Sequence, residues 1–262
     1  MRLRPCFLLL SVLLSACATS PTGRTQLVFM PDTQLNQMGL QAFDALKKDK
    51  PVNRDSGTRQ YVQCVAGHLV KQVGGRWEVV VFDDSSANAF ALPGNKIGVH
   101  TGLLKVAQDQ HQLAAVIGHE IGHVLARHSN ERMSQEMAVS SGMALVQAAA
   151  APQTALGQTA VGLLGLGAQY GVLMPYSRAH ESEADIIGLK LMAQAGFDPN
   201  ASVQLWRNMA TASSSAAPPE FLSTHPSHAT RIQQLQQALD SVLPIWQQTK
   251  AQGNAPQCQA RP

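Results

Sequence analysis

Asp109-Gln110-His111-Gln112-Leu113-Ala114-Ala115-Val116-Ile117-Gly118-His119-Glu120-Ile121-Gly122-His123, continuing to His128, is the stretch on which the reading of this chain turns. Asp109 offers a side-chain cap and Gln112, three residues on, completes a capping-box pattern, so residues 110 to 128 are expected to be helical. Helical residues four apart lie about 40° apart in azimuth, so the His119 and His123 imidazoles point the same way and can share one Zn²⁺. Neutral imidazole suits zinc, and a site with three protein ligands leaves a fourth position for water, whose pKa the metal lowers to about 7. Glu120, beside the metal, can take a proton from the water that attacks a peptide carbonyl and later deliver it to the leaving amine.

A third ligand is needed. His128 lies nine residues after His119, about 180° around a helix, so it cannot share that face. The metzincin pattern would need its third His one residue later and a Gly where Ala126 stands, so that pattern is excluded. The other candidate is in Ser177-Arg178-Ala179-His180-Glu181-Ser182-Glu183-Ala184-Asp185. Glu181 and Asp185 are four apart, on one face of a second helix expected from about Arg178 to Ala195, where Gly196 and Pro199 stop it. Glu181 would complete a His-His-Glu site and Asp185 could accept the free ring N–H of a ligand histidine. Glu183, about 200° away, is expected to be solvated. Spacing alone leaves this assignment open, because two acidic residues on a helix are ordinary.

Working outward, helical spacing marks 34 to 47 and 57 to 73. Trp77 to Phe82 is a β-branched and aromatic run read as a buried strand. Asn88 to Leu92 is extended, Pro93-Gly94-Asn95 turns, and Lys96 to His100 returns as a strand. The apolar stretch from Ala138 to Met174 invites a membrane-spanning reading. Pro152, Gln153, Thr154, Gln158, Thr159 and Gln169 interrupt it, so it is read as two small-residue helices packed over the active site. Helix returns from about His228 to Leu243, where Pro244 ends or kinks it ahead of a polar tail. The fold class is α+β and mainly helical, with a small antiparallel sheet and an active-site helix.

The N-terminus supplies an address. Arg2 and Arg4 precede a short apolar run, Phe7 to Leu14, too short to span a bilayer and fitting a secretory signal over 1–16. Leu14-Ser15-Ala16-Cys17 resembles a bacterial lipobox, so Cys17 is the expected lipidated first residue, with 17–30 as a polar tether and 31–262 as the folded domain. By analogy with lipoprotein sorting, Ala18 and Thr19 after Cys17 favour the outer membrane, facing the periplasm. With Arg2 and Arg4 removed, 18 basic residues face 17 acidic ones, a net charge near +1. That balance excludes a strongly basic nucleic-acid footprint, and 5% aromatics are too sparse for the stacking platforms that bind single strands. Hydrophobic residues at 45% and charged residues at 14% suit one sizeable core. Cys6 leaves with the signal and Cys17 carries lipid, so Cys64 and Cys258 remain as a pair for a disulfide in an oxidising compartment; the alternative is two thiols that never meet.

Here the chain resembles a known family. His119 to His123, the Glu181-xxx-Asp185 pair and Tyr176-Ser177-Arg178 look like those of the gluzincin zinc metallopeptidases of the HtpX and CAAX-prenyl-protease type. The nearest resemblance is to the periplasmic and outer-membrane lipoprotein branch, BepA-like and LoiP-like. It extends over roughly residues 20 to 235 through Thr22-Gly23-Arg24, Asn88-Ala89-Phe90-Ala91-Leu92-Pro93-Gly94 and Ser223-Thr224-His225-Pro226. The resemblance implies Glu181 as third ligand of one Zn²⁺, with Asp185 as its outer partner, and Asn88 and Ala89 as an edge strand that pairs with substrate backbone. It also implies that His225 and Arg231 stabilise the oxyanion, or that His225 takes the fourth metal position and holds the enzyme inactive. The implied substrates are unfolded or misassembled envelope polypeptides. The implied attachment is through lipidated Cys17, with outer-membrane assembly machinery as a further partner and no nucleic acid. The other function class is a zinc-binding holdase or assembly scaffold with little turnover, against which Glu120 weighs, since structural zinc needs no adjacent base.

Overall fold

The computed structural model describes residues 17–150, 174–213, 220–225 and 230–259. Residues 1–16 and most of the second expected small-residue helix lie outside the described residues. Two compact units divide the chain: the described parts of 1–32 and 127–180 form one, those of 33–126 and 181–262 the other.

The larger unit starts from helices α1 (Asp32–Asp49) and α2 (Ser56–Val73). Asp55 caps α2 by accepting from the Thr58 amide, and Tyr61, Val62, Val65, Ala66 and Leu69 form its buried stripe. Strands β3 (Glu78–Phe82), β4 (Ala89–Leu92) and β5 (Lys96–His100) follow. They form a sheet of order β3-β5-β4, with Val79 opposite Ile97 and Ala91 opposite Ile97 from the other side. The sheet is mixed rather than antiparallel. The Pro93-Gly94-Asn95 turn makes β4 and β5 a hairpin, but β3 lies on the far side of β5 and runs parallel to it. Gly94 (φ +82°) and Asn95 (φ 61°) take the left-handed conformation that this turn demands. A 3₁₀ turn, Thr101–Lys105, leads to helix α3 (Gln110–Leu125).

Asp109 caps α3, accepting from the His111 and Gln112 amides at 2.8 Å each. The Gln112 side chain accepts from the Gln108 amide, one residue before the position a capping box would use. The helix also ends earlier than the pattern to 128 predicts. The Ala126 amide closes the last turn on Gly122, Arg127 takes a left-handed φ of 56°, and His128 opens the next helix. Helix α5 (Met174–Ala195) then brings Glu181 and Asp185, and α6 (Ala201–Ser213), α7 (Glu220–Thr224) and α8 (Arg231–Ala251) complete the unit. Pro244 neither ends α8 nor prevents seven further residues, because Leu235, Leu239, Val242 and Thr249 are buried on either side of it. The core gathers Phe43, Phe82, Phe197, Leu69, Ile97, Leu113, Ile117 and Ile121, all fully shielded. Cys64 on α2 is disulfide-bonded to Cys258 after α8.

In the smaller unit, residues 17–27 of the expected tether form a hairpin. Strands β1 (Cys17–Thr19) and β2 (Thr25–Leu27) pair antiparallel, and Ser20 and Gln26 are buried. Helix α4 (His128–Ala150) accompanies them. Beyond Gln135 the described part of α4 is largely exposed, with Leu145 72% accessible, which does not match a packed cover. No helix among the described residues is long and apolar enough to cross a membrane.

Candidate metal centre

Two helices meet at the centre, and glycines let them. A Cβ on Gly122 of α3 would lie 2.8 Å from the Ala184 carbonyl oxygen of α5, and one on Gly188 would lie 2.8 Å from the His119 amide nitrogen. Gly118 faces Gly188 in the same way. These small residues recur every four positions on both helices, the same spacing as His119/His123 and Glu181/Asp185, so the ligand faces are drawn together along one seam.

The ring nitrogens converge. His119 Nε2 lies 3.0 Å from His123 Nε2 and 3.3 Å from Glu181 Oε2, and His123 Nε2 lies 3.4 Å from Glu181 Oε1. His225 Nδ1 joins them, 3.2 Å from His119 Nε2 and 3.1 Å from Glu181 Oε1. One donor atom from each of the four residues falls within 4.8 Å of all the others. Donors at about 2.0–2.2 Å from a tetrahedral Zn²⁺ stand about 3.3–3.6 Å from one another, so this set fits such an ion with little movement. Burial alone would push His119 to a lower pKa. Hydrogen bonds and charge from Asp185 and Glu181 overcome that and raise it to about 9 in the metal-free protein. Burial raises Glu181, but His119 and His225 more than reverse it and hold the carboxyl well below its usual range.

Asp185 Oδ1 sits 2.9 Å from His119 Nδ1, which fixes the tautomer that turns the Nε2 lone pair to the metal position. Asp185 is held in turn by Arg231, whose Nε and Nη2 donate to its two oxygens at 2.7 Å each, while Nη1 donates to Glu181 at 3.0 Å. Arg231 is fully buried with its guanidinium 3.6 Å from the Trp206 ring centre. The expected oxyanion role is not the contact seen: Nε and Nη2 are directed at Asp185 and Nη1 at the ligand Glu181, and the guanidinium face is covered by an indole. Trp206 was not legible in sequence, since nothing local ties a Trp on α6 to an Arg on α8.

Glu120 is 2% exposed. Its Oε2 accepts from the Ala91 amide at 2.9 Å, and its Oε1 lies 3.3 Å from His225 Nε2 without forming a hydrogen bond. Burial raises its pKa, opposed by the charge of His225 and His119. The Ala91 contact places the carboxylate against the free edge of the sheet. The His100 amide donates to Asn88 O, so the Asn88 backbone faces inward to β5, while by alternation Ala89 and Ala91 present theirs outward. Ala91 is thus an edge residue the sequence reading did not single out. Asn88 and Ala89 are both buried, and the Asn88 side chain donates to Glu220 at 3.1 Å. The Phe221 amide donates to Ala87 O, and the Phe221 ring stacks on His225 at 4.5 Å. Glu183, expected in solvent, is 4% exposed; α5 is covered on that face too, which a count of azimuth from Glu181 does not register.

A buried His-His-Glu cluster with a carboxylate on the same helix, set against a sheet edge, defines the metallopeptidase class. Comparison with known proteins agrees. The model of Peptidase family M48 matches residues 56–239. The mitochondrial metalloendopeptidase OMA1 of Schizosaccharomyces pombe is 43% identical over 186 residues, covering 70% of this chain and 53% of the relative. Human mitochondrial metalloendopeptidase OMA1 is 32% identical over 241 residues, 86% of this chain and 46% of the relative. The beta-barrel assembly-enhancing protease of Yersinia pestis is 28% identical over 211 residues, 76% of this chain and 42% of the relative. The chain belongs to Peptidase family M48, and it spans about half the length of the curated relatives it matches.

Proposed function

We propose that the protein is a zinc-dependent endopeptidase that cleaves unfolded or misassembled envelope polypeptides in periplasmic and outer-membrane quality control. In this reading it is attached to the outer membrane through lipidated Cys17 and faces the periplasm, near the outer-membrane assembly machinery. The observation that carries the reading is Glu120: a buried carboxylate one residue from His119, hydrogen-bonded to the outward-facing amide of Ala91. A structural metal site has no use for such a group.

His119, His123 and Glu181 would hold the metal, which when bound would supply Lewis acidity toward water and the scissile carbonyl. Glu120 accepts the proton from the attacking water and returns it to the leaving amine. The outward edge of β4 takes the substrate as an added strand, a mode that reads main chain rather than side chains and so suits unfolded polypeptides. Arg231 and Asp185 keep His119 and Glu181 oriented. Two imidazoles and one carboxylate with a potential general base beside them suit a catalytic zinc ion. The envelope setting is supported by the Leu14-Ser15-Ala16-Cys17 pattern and by the name of the Yersinia relative. The OMA1 relatives are mitochondrial by name and support the family chemistry alone.

His225 belongs to a resting state in this account. Its Nδ1 sits among the ligand atoms, and residues 220 and 221 of its segment bond to Asn88 and Ala87 beside the substrate edge. The test uses the protein from residue 18 onward, loaded with one equivalent of zinc and mixed with an outer-membrane polypeptide, either unfolded or refolded in detergent. Cleavage of the unfolded form, faster in His225→Ala, supports the reading. Zinc retention without cleavage by either protein would favour the holdase or scaffold.

A further inference from the structure

The Thr22-Gly23-Arg24 turn plays no part in the chemistry above, yet it ends on a half-buried arginine paired with a buried carboxylate. Gly23, at φ +92°, closes a tight loop in which its amide donates to Ser20 O, and the Ser20 hydroxyl accepts from the Arg24 amide. The loop aims Arg24 at Glu131 of α4, 107 residues away in sequence. The guanidinium grips both carboxylate oxygens, Nη1 to Oε1 at 2.7 Å and Nη2 to Oε2 at 2.6 Å. This paired geometry is the strong, directional form of an arginine–carboxylate contact. Glu131 is fully buried, and it also accepts from Gln26 at 3.1 Å and Gln135 at 3.2 Å.

The fifth contact gives the network its direction. His180 Nε2 lies 3.0 Å from Glu131 Oε2, and its ring stacks on His128 at 4.2 Å with only 19° between the planes. His180 is the residue immediately before Glu181 on α5. A helical residue whose ring is held on both its face and its nitrogen has little freedom to slide or rotate, and its covalent neighbour inherits that restraint. Metal ligands must be placed to within about 0.2 Å.

We propose that Arg24 is a positioning residue for Glu181, acting through the Glu131 carboxylate and the His180 ring. The proposal rests on the assignment of Glu181 as a metal ligand. It gives the N-terminal hairpin a task beyond linking the chain to its anchor: the hairpin supplies the guanidinium that pairs with both oxygens of the buried Glu131 carboxylate and holds it where it meets His180. Loss of the first 24 residues would then weaken a metal site whose ligands all lie elsewhere.

The test measures zinc dissociation constants by chelator competition, turnover and Tm for wild type, Arg24→Ala, Arg24→Lys and Glu181→Gln, each at a temperature where circular dichroism shows it folded. Arg24→Ala is expected to weaken zinc binding about 10- to 100-fold, the range for outer partners of metal ligands, and to lower kcat more than it raises KM. Arg24→Lys keeps the charge without the fork and is expected to recover part of the affinity, which a merely structural loss would not track. It also serves if Arg24→Ala does not fold. Wild-type zinc affinity in a folded Arg24 variant overturns the proposal. So does lost turnover at unchanged affinity, because the action would then lie elsewhere. Wild-type affinity in Glu181→Gln overturns the ligand assignment itself, a failure distinguishable from the other two.

Discussion

Gly122→Ala probes the geometry on which the centre depends. The added methyl would begin 2.8 Å from the Ala184 carbonyl oxygen and 3.1 Å from its Cα, both backbone atoms of α5 that no rotamer change can move aside. Ordinary contact starts at 3.4 Å, so α3 and α5 must separate locally by at least about 0.6 Å, from 2.8 to 3.4 Å. That is about three times the tolerance of a metal-ligand distance, and it falls between His123 on one helix and Glu181 on the other. Zinc affinity is expected to fall at least about 10- to 100-fold, and turnover by about 100-fold. Overpacking should cost about 1–3 kcal/mol of stability. Chelator competition and thermal unfolding read the two effects separately. Gly67→Ala is the control: nothing lies within 4 Å of its would-be Cβ on the exposed face of α2, so it should gain roughly 0.5–1 kcal/mol and leave zinc binding alone. Unchanged zinc affinity and turnover in Gly122→Ala would refute the claim that this crossing sets the ligand geometry.

Three further outcomes follow. Arg231→Ala strands the Asp185 and Glu181 carboxylates in the interior, so about 3–5 kcal/mol should be lost in denaturant unfolding of the metal-free protein; a loss near zero would mean the cation is dispensable. Cys258→Ser opens a link spanning 194 residues, and the chain-entropy model gives an upper estimate of roughly 5 kcal/mol, read as a lower Tm that reductant produces in wild type but not in the variant. Burial raises the Glu131 pKa, but Arg24 and His180 outweigh it and bring the group from 4.5 to about 2. A depressed pKa stabilises the fold above the unfolded value and is lost as pH falls, so up to about 3 kcal/mol should disappear between about pH 4.5 and 2, and Arg24→Ala should flatten that limb of the acid-unfolding curve.

What could be read from the sequence was whatever is local. The cap at Asp109, the four-residue spacing of His119 and His123, and the turn at Pro93-Gly94-Asn95 each depend on neighbours within a few residues. They predicted the helix, its ligand face and the hairpin. The joint at Arg127 escaped because a left-handed arginine carries no side-chain signature, so the pattern simply ran on to His128. The mixed sheet escaped because strand order is decided by which edge β3 packs on, not by the strands themselves. Arg231 follows the same rule: a lone arginine shows its charge in sequence, but not that Trp206 covers it and that Asp185 and Glu181 use its donors. The hairpin at 17–27 carries no local signal of this kind, since its Arg24 meets Glu131, a residue 107 positions away. Gly118, Gly122, Ala184 and Gly188 were visible as small residues at four-residue spacing in register with the ligands. That register, rather than glycine content, was the signal to follow.

The most direct test compares wild type with Glu120→Gln at equal, measured zinc content against an unfolded polypeptide. Glutamine keeps the shape and can still meet the Ala91 amide, but it cannot accept the water's proton. The account predicts cleavage by wild type and a rate at least about 10²-fold lower in Glu120→Gln, with zinc bound equally by both. Equal cleavage by the two proteins would contradict it.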